Sequence, residues 1–286
     1  SAASDVYKRQ QVTRRFYHDV NDKEGIRSNS IYSLLVDDRG AVWVGHFQAG
    51  LDYSLYQNGL FRTYAYPPLF NSANLSIRSF VNRGQEKVIG SRDGLFYINE
   101  ATGVVKSFVK PVLTSDLILT ISFYQGEYYI GTYGGGMMVL NPGTLSLKYF
   151  AQGDTELFQK GHIFCVKPDA KGNLWIGTSQ GLFCYNGQTK QIKHFTSANS
   201  QLPEGNVYEV SFDSTGKGWI ATETGMCIYD PASQSLRSNV FPEGFVHRDK
   251  VRTIYEDAGH NLYFIREKGS LFTSTLTMDR FQNRSI

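Results

Sequence analysis

One stretch of the sequence, residues 164–230, contains the same pattern twice, and this internal repeat strongly limits the possible folds. The first copy reads Asp169-Ala-Lys-Gly-Asn-Leu-Trp175-Ile-Gly-Thr178, and the second reads Asp213-Ser-Thr-Gly-Lys-Gly-Trp219-Ile-Ala-Thr222. In both copies Trp follows Asp by six residues, and a Gly follows Trp by six more. Similarity at fixed spacing is the signature of a repeat architecture.

The same frame can be placed six times along the chain. Its large apolar or aromatic anchor recurs every 41 to 46 residues, at Trp43, Val88, Tyr129, Trp175, Trp219 and Tyr263. An Asp precedes the anchor by six residues in four copies, at Asp37, Asp169, Asp213 and Asp257. Because these residues recur in phase with the repeat, we interpret the Asp residues as turn formers and the aromatic residues as packing anchors.

Each repeat has the pattern of four short strands. An apolar run such as Ile31-Tyr-Ser-Leu-Leu-Val36 leads into a turn rich in Asp and Gly, and a second strand contains the anchor. A Gly-Leu pair opens the third strand, and a segment ending in Phe closes the unit. Four antiparallel strands in about 44 residues match one propeller blade. The sequence therefore predicts an all-β fold, a β-propeller of four-stranded antiparallel blades with six full repeats.

The ends of the chain do not fit the repeat so well. Residues 1–11 match no copy, and we expect them to be a disordered or non-native tip, with the propeller domain spanning residues 12–286. Residues 12–18 resemble a stray outer strand without the rest of its blade. We favour a part of a seven-bladed ring or of a longer chain, and the alternative is that residues 12–18 close the sixth blade. No segment has the hydrophobic length of a signal peptide or a membrane span.

Composition excludes several function classes. The net charge is only +3 and no basic run occurs, so we expect no nucleic-acid partner. The three cysteines, Cys165, Cys184 and Cys227, lie in apolar strands and match no zinc pattern. The six histidines are dispersed. We therefore predict neither a metal site nor a cofactor.

Two runs resemble a known family. The segments Asn29-Ser-Ile31 with Asp37-Asp-Arg-Gly-Ala-Val-Trp43-Val-Gly45, and Asp169 to Thr178, resemble the two-component regulator propeller repeat. The resemblance extends over residues 16–281 and is most specific in repeats one, four and five. It implies a periplasmic sensor region of a hybrid two-component histidine kinase that detects an oligosaccharide.

The resemblance also implies partners. In this family the propellers are followed by a β-sandwich, a membrane helix and a kinase, so we expect the remainder of the receptor chain, including a second propeller, as a partner. A homodimer is a further expected assembly. We expect kinase activity to reside outside these residues, so the fragment itself is not predicted to be an enzyme.

Strand order indicates where a ligand would bind. In an up-and-down blade, the loops between strands two and three share a face with the loops between blades. Planar side chains there can cover a sugar ring while Arg, Asp and Gln bond its hydroxyls. The opposing interpretation is that these polar turn residues are simply solvated. The predicted ligand-binding residues are His46, Gln48, Arg92, Asp93, Tyr133, Gln180, Glu223, Arg248, Arg266 and Lys268.

Two other function classes stay open. One is a protein-interaction propeller without a small ligand, and the other is a glycan hydrolase or lyase. The enzyme is disfavoured because the Asp-to-Trp interval of six residues differs from the Asp boxes of propeller hydrolases. No nucleophile elbow or phosphate-binding loop occurs either. We therefore predict no catalytic residue.

Overall fold

The computed structural model describes residues 16–22, 24–37, 40–55, 61–64, 75–150, 155–238, 250–256, 260–266, 271–275 and 281–284. The predicted tip, residues 1–11, lies outside this part of the chain. The protein divides into two compact units, residues 1–78 and 79–286.

The first unit contains one four-stranded antiparallel sheet, called sheet 1, with its strands in chain order. Its strands are β1 (Ile31–Val36), β2 (Ala41–His46), β3 (Leu51–Leu55) and β4 (Phe61–Thr63).

The second unit contains five further sheets of the same kind, called blades 2 to 6, and the first two residues of blade 2 precede the unit boundary. Blade 2 consists of β5 (Ile77–Arg83), β6 (Glu86–Ser91), β7 (Leu95–Asn99) and β8 (Val104–Phe108). Blade 3 consists of β9 (Ile118–Tyr124), β10 (Glu127–Thr132), β11 (Met137–Asn141) and β12 (Ser146–Tyr149). Blade 4 consists of β13 (Ile163–Pro168), β14 (Asn173–Thr178), β15 (Gly181–Asn186) and β16 (Ile192–Phe195). Blade 5 consists of β17 (Val207–Phe212), β18 (Gly218–Thr222), β19 (Gly225–Asp230) and β20 (Ser235–Arg237). Blade 6 consists of β21 (Val251–Glu256), β22 (Asn261–Arg266), β23 (Leu271–Thr275) and β24 (Phe281–Arg284).

The predicted four-stranded antiparallel blade is confirmed, but the predicted set of six repeats plus a stray strand is corrected. Five blades form the second unit, and sheet 1 belongs to a separate unit. Residues 16–18, the described part of the proposed stray strand, have no strand structure. Phe16 packs edge-on against Phe61 at 4.9 Å between ring centroids, and the amide of His18 donates to Asn29 Oδ1 at 2.7 Å. The His18 amide is thus bonded to the side chain of a residue that precedes β1.

One short helix, α1 (Thr155–Lys160), interrupts the all-β pattern between β12 and β13. Glu156 in its first turn and Lys160 in its last turn complement the helix dipole. Leu157 and Phe158 are buried in the core between blades 3 and 4. A helix of six residues is too short to produce a helical hydrophobic period, so the sequence pattern did not indicate it.

The repeated Asp and Trp are joined directly. Trp175 Nε1 donates a hydrogen bond to Asp169 Oδ2 at 2.9 Å, and Asp169 Oδ1 accepts from the amide of Asn173 at 2.8 Å. The Trp219–Asp213 and Trp43–Asp37 pairs make the same indole bond at 2.7 and 3.0 Å. One carboxylate therefore closes the turn and satisfies the buried indole, which explains the spacing of six residues. Asp257 lies outside the described residues; Tyr129 and Tyr263 lie on β10 and β22.

Glycine in the second strand lets the first strand of the next blade approach closely. A Cβ atom on Gly177 would lie 2.7 Å from the carbonyl oxygen of Val207, and one on Gly131 would lie 2.7 Å from Ile163 Cγ2. At the junction between blades 3 and 4, the amide of Val166 donates to Thr120 Oγ1 at 3.3 Å. The first strands of blades 3, 4 and 5 therefore lie beside one another.

All three cysteines are free. Cys165 and Cys227 are buried and Cys184 is half-buried. Burial raises the pKa of the Cys165 and Cys184 thiols to about 12. Within the described ranges, no group of His, Cys, Asp and Glu side chains is arranged to hold a metal ion. None of the described helices has the length and apolar character needed to cross a membrane.

Candidate ligand-binding site on the first strands

A β-bulge recurs in the first strand of four blades in the second unit. In blade 4, Ile163 pairs with Thr178 and Cys165 pairs with Gly177, so Phe164 is the extra residue. The same irregularity leaves an unpaired residue in blades 3, 5 and 6, at Leu119, Tyr208 and Arg252. A bulge of this kind turns its side chain away from the regular alternation of the strand.

Three of the bulged or neighbouring residues form a continuous series of rings with Tyr133. The Phe164 and Tyr208 centroids are 5.1 Å apart at 63°. His162 lies 6.2 Å from Phe164, and the ring of Tyr133 lies 4.0 Å from His162 at 30°. We call Tyr133, His162, Phe164 and Tyr208 the aromatic row. Tyr133 is half exposed and the other three are partly buried, so the row presents ring surface to solvent.

The Tyr208 end of the aromatic row is positively charged. The Arg252 guanidinium carbon lies 4.6 Å from the Tyr208 centroid, and Lys250 Nζ lies 5.1 Å from it. Glu223 Oε1 is 4.0 Å from Lys250 Nζ, a long ion pair that balances part of this charge. Asn206 Nδ2 donates to the Tyr208 hydroxyl oxygen at 3.1 Å. Ring faces and polar groups thus meet at one place.

Backbone hydrogen bonds attach the loops between strands two and three to the loops between blades. The amide of Tyr133 donates to the carbonyl of Leu117 at 2.9 Å, and that of Glu223 donates to Asn206 at 2.9 Å. The amide of Ser179 donates to the carbonyl of His162 at 3.2 Å. In each case the acceptor precedes the bulged residue by two positions. The two sets of loops therefore share a face in the second unit, as strand order suggested.

Of the residues predicted to bind ligand, Tyr133 and Glu223 are brought to the aromatic row. Arg92, Asp93 and Gln180 are exposed in their turns, and the described structure shows no hydrogen bond, ion pair or ring contact between them and the row. The Gln180 carbonyl oxygen instead accepts from His194 Nε2 at 2.8 Å.

The remaining predicted residues do not join the row. In the first unit, His46 is fully buried and its Nε2 lies 2.9 Å from Asp52 Oδ2, so its side chain does not face a ligand. Gln48 is exposed with a φ of 55°. Arg248 and Lys268 lie outside the described residues. For Arg266, the last residue of β22, only the backbone is described.

The residues predicted from the sequence did not include Phe164, Tyr208, Lys250 and Arg252, which the structure brings together here. A signal was present, because the second residue of each first strand varies between repeats while the first residue is always Ile or Val. That position was interpreted as part of a regular strand, in which successive side chains point to opposite faces of the sheet. The bulge changes the direction of the side chain at this position.

Two features around the row affect its electrostatics. Glu209, next to Tyr208, lies 3.4 Å from Lys167 Nζ of the preceding blade. Burial raises the pKa of Glu209, and the nearby Glu209 carboxylate raises the pKa of Lys167. Within the described part of the chain, His162 Nδ1 is buried without a hydrogen-bond partner. Such an atom is uncommon in folded proteins.

Comparison with solved structures identifies the class of protein as a β-propeller. The extracellular domain of BT3049 from B. thetaiotaomicron, assigned to the hybrid two component systems, has a TM-score of 0.67 at 24% identity, covering 87% of this chain and 34% of that chain. The extracellular domain of BT4673 from B. thetaiotaomicron, assigned to the one component systems, has a TM-score of 0.70 at 18% identity, covering 91% and 34%. The chain thus spans about a third of the length of these two proteins. At these identities the likeness concerns the fold.

Two segments of the sequence match the model of a known repeat family. Residues 25–48 and 158–180 match the family model described as Two component regulator propeller. The resemblance noted above is therefore confirmed in these two segments. The comparison with curated protein sequences gave no match.

Proposed function

We propose that this chain is an extracytoplasmic, ligand-sensing propeller module of a two-component signalling receptor, and that it recognises an oligosaccharide along the aromatic row. The observation that carries the proposal is the contact between Phe164 and Tyr208, two rings placed side by side by equivalent bulges of successive blades. The family match at residues 158–180 supports the receptor class.

The chemistry of the row suits a hydroxylated, ring-shaped ligand. Planar, partly exposed side chains supply apolar surface for sugar rings, while Asn206, Glu223, Lys250 and Arg252 offer donors and acceptors for hydroxyls. Binding sites commonly combine aromatic surface with a few convergent polar groups in this way.

Signalling would arise from differential binding. The aromatic row uses residues of blades 3, 4 and 5, and its charged end uses blade 6. An oligosaccharide that spans these blades would stabilise one arrangement of them over another, and only that difference in affinity can shift the receptor. The kinase that receives the signal would lie in the remainder of the receptor. The propeller would bind its ligand in the periplasm.

The remainder of the receptor has a candidate contact surface on sheet 1. Leu34 and Val36 of β1 are each 65% exposed. β1 has its own bulge at Tyr32, two residues before Leu34, whereas Val166, two residues after the bulge at Phe164, is 0% exposed. We propose that another part of the full-length protein, such as a further blade, covers this edge. Hydrogen exchange at β1 should slow in a longer protein that includes its neighbouring domains. Unchanged exchange there, or protection that depends on protein concentration, would instead favour an open edge or a homodimer.

The same exposed edge favours a second candidate, a protein-interaction propeller without a small ligand. A structure of YCF48 bound to D1 peptide is similar in fold, with a TM-score of 0.65 at 12% identity, covering 94% of this chain and 88% of that chain. A glycan array separates the candidates. Retention of oligosaccharides by the chain supports the sensor, whereas retention of none, together with peptide binding that Leu34→Ser abolishes, supports the interaction platform.

A catalytic function is the least supported candidate, because the family match is to a regulator propeller. Incubation with the glycans that bind best should release no new reducing ends. The appearance of new reducing ends in proportion to protein concentration would replace the sensor with a hydrolase or lyase.

A further inference from the structure

A cavity lies in the groove between blades 4 and 5, on strands other than those that carry the aromatic row. Its volume is about 350 Å³, and its lining includes Trp175 on β14, Phe195 on β16 and Tyr229 on β19. Pockets for small molecules have volumes from about 300 to 1,000 Å³, so the groove falls at the lower end of that range.

The apolar surface of the groove comes from Phe195 and Tyr229, which are partly exposed, and the buried Trp175 packs against both. The rings of Trp175 and Tyr229 are 4.5 Å apart across the junction between the blades, and Phe195 stacks with Trp175 at 6.0 Å and 12°. The orientation of Trp175 is fixed by a hydrogen bond, because its indole nitrogen donates to Asp169 Oδ2. The aromatic surface is therefore preorganised, so binding a ligand does not require a loss of side-chain conformational entropy there.

The rest of the lining is polar and positively charged. Lys193 Nζ donates to Gln234 Oε1 at 3.2 Å, and Lys171 Nζ donates to the carbonyl of Pro231 at 3.4 Å, so both ammonium groups reach from blade 4 to blade 5. An ammonium group has three donors, and each of these bonds uses one. No Asp or Glu belongs to the described residues that line the cavity. Asn186 Nδ2 donates to Asn173 Oδ1 and Asn173 Nδ2 donates to Asp169 Oδ2, so each amide nitrogen keeps one further hydrogen that a ligand can accept.

We propose that this groove binds a single sugar residue that carries a carboxylate or sulfate group. The ring would lie on the aromatic surface, its hydroxyls would bond the amides, and Lys193 and Lys171 would receive the anionic group. The site is independent of the proposed oligosaccharide site, because none of the residues named for the groove belongs to the aromatic row. Failure of one site to bind therefore leaves the other unaffected.

The test uses the indole signals of the intact chain in heteronuclear NMR spectra. Titration with glucuronate should shift the Trp175 indole resonance, while the Trp43 and Trp219 resonances serve as internal references. Glucose, which has the same ring without the carboxylate, should bind about tenfold more weakly because it lacks the charge-assisted bond. Glucose 6-sulfate should behave like glucuronate.

A charge-matched pair of variants separates the groove from general charge effects. Lys193→Glu should weaken glucuronate binding about tenfold or more, because it replaces the favourable charge with a repulsive one. Lys106→Glu is the control, since Lys106 is exposed on β8 of blade 2, outside the lining. Its binding should stay within about twofold of the unaltered chain.

Three results would overturn the proposal. They are the absence of a Trp175 shift with either anionic sugar, equal binding of glucose and glucuronate, and equal weakening by the two Lys→Glu variants. Unchanged Trp43 and Trp219 resonances in both variants would show that the fold is retained, so a loss of binding could not be assigned to unfolding.

Discussion

The rings of Phe164 and Tyr208 lie 5.1 Å apart, each at the bulge of the first strand of its blade. The bulge belongs to the repeated architecture, since it also occurs in blades 3 and 6. The residue at the bulge does not repeat, because Leu119 and Arg252 occupy it there. The fold thus supplies a set of equivalent positions, and sequence variation at those positions determines the chemistry of the face.

The buried anchor Trp175 should be a major contributor to stability. Trp175→Ala removes a side chain that is 1% exposed, and the cost should be about 3–5 kcal/mol in the free energy of unfolding. Urea denaturation followed by circular dichroism measures this change. Arg92→Ala, at an exposed turn, is the control and should change stability by less than about 0.5 kcal/mol. Equal losses in the two variants would contradict the role of Trp175 as an anchor.

The close approach of blades at Gly177 should not tolerate a larger side chain. A Cβ atom there would lie 2.5 Å from Cys165 Sγ and 2.7 Å from the carbonyl oxygen of Val207. We expect Gly177→Val to cost about 1–3 kcal/mol or more, because the backbone of the next blade must move. Gly172→Val, at a turn position with a φ of 79° and no atom within 4 Å of the added Cβ, measures backbone strain alone, whereas Gly177 has no positive φ and its substitution measures the contact alone. Thermal unfolding of Gly177→Val at the temperature of the unaltered chain would show that the blades do not pack there.

Stability should decrease at alkaline pH. Burial raises the pKa of Tyr128 and Tyr129 above the ordinary value of 10.0, and it raises the pKa of Cys184 to about 12. The unfolded chain therefore releases these protons at lower pH than the folded chain does. The free energy of unfolding contributed by these groups is fully present below about pH 9 and declines as the pH rises beyond it.

Urea titrations at a series of pH values between 7 and 11 measure this dependence. Tyr128→Phe should be less stable at pH 7, because the Tyr128 hydroxyl donates to Glu86 Oε2 at 2.6 Å. The same variant should have a shallower decline above pH 9, because it lacks one of the titrating groups. A free energy of unfolding that rises with pH in this range would contradict the assignment of Tyr128 as a buried tyrosine.

The repeat made the blade predictable, because its residues serve the backbone and the core. Asp169 and Trp175 recur in phase, and their hydrogen bond is the physical reason for their spacing. The short helix α1 was missed because six residues carry too little periodicity. The prediction of an outer strand at residues 12–18 was wrong for residues 16–18, which are not in a strand. A sequence pattern typical of a strand does not show that a partner strand is present.

The site was less predictable than the fold. Tyr133 was predicted because it lies in a loop on the expected binding face, and the structure places it in the aromatic row. Phe164 and Tyr208 were read as strand residues, and their direction depends on one extra residue in the pairing, which periodicity does not reveal. His46 was placed on the face by its position at the end of β2, but its contact with Asp52 holds it in the interior.

Calorimetric titration of the chain with an oligosaccharide selected from a glycan array tests the proposed function most directly. Phe164→Ala and Tyr208→Ala should each weaken binding about tenfold or more, because each removes a partly exposed ring from the aromatic row. Tyr255→Ala, which removes an aromatic residue that is 63% exposed outside the row, is the matched control and should bind as the unaltered chain does. Undiminished binding in both Phe164→Ala and Tyr208→Ala, with melting temperatures unchanged, would contradict a ligand site on the aromatic row.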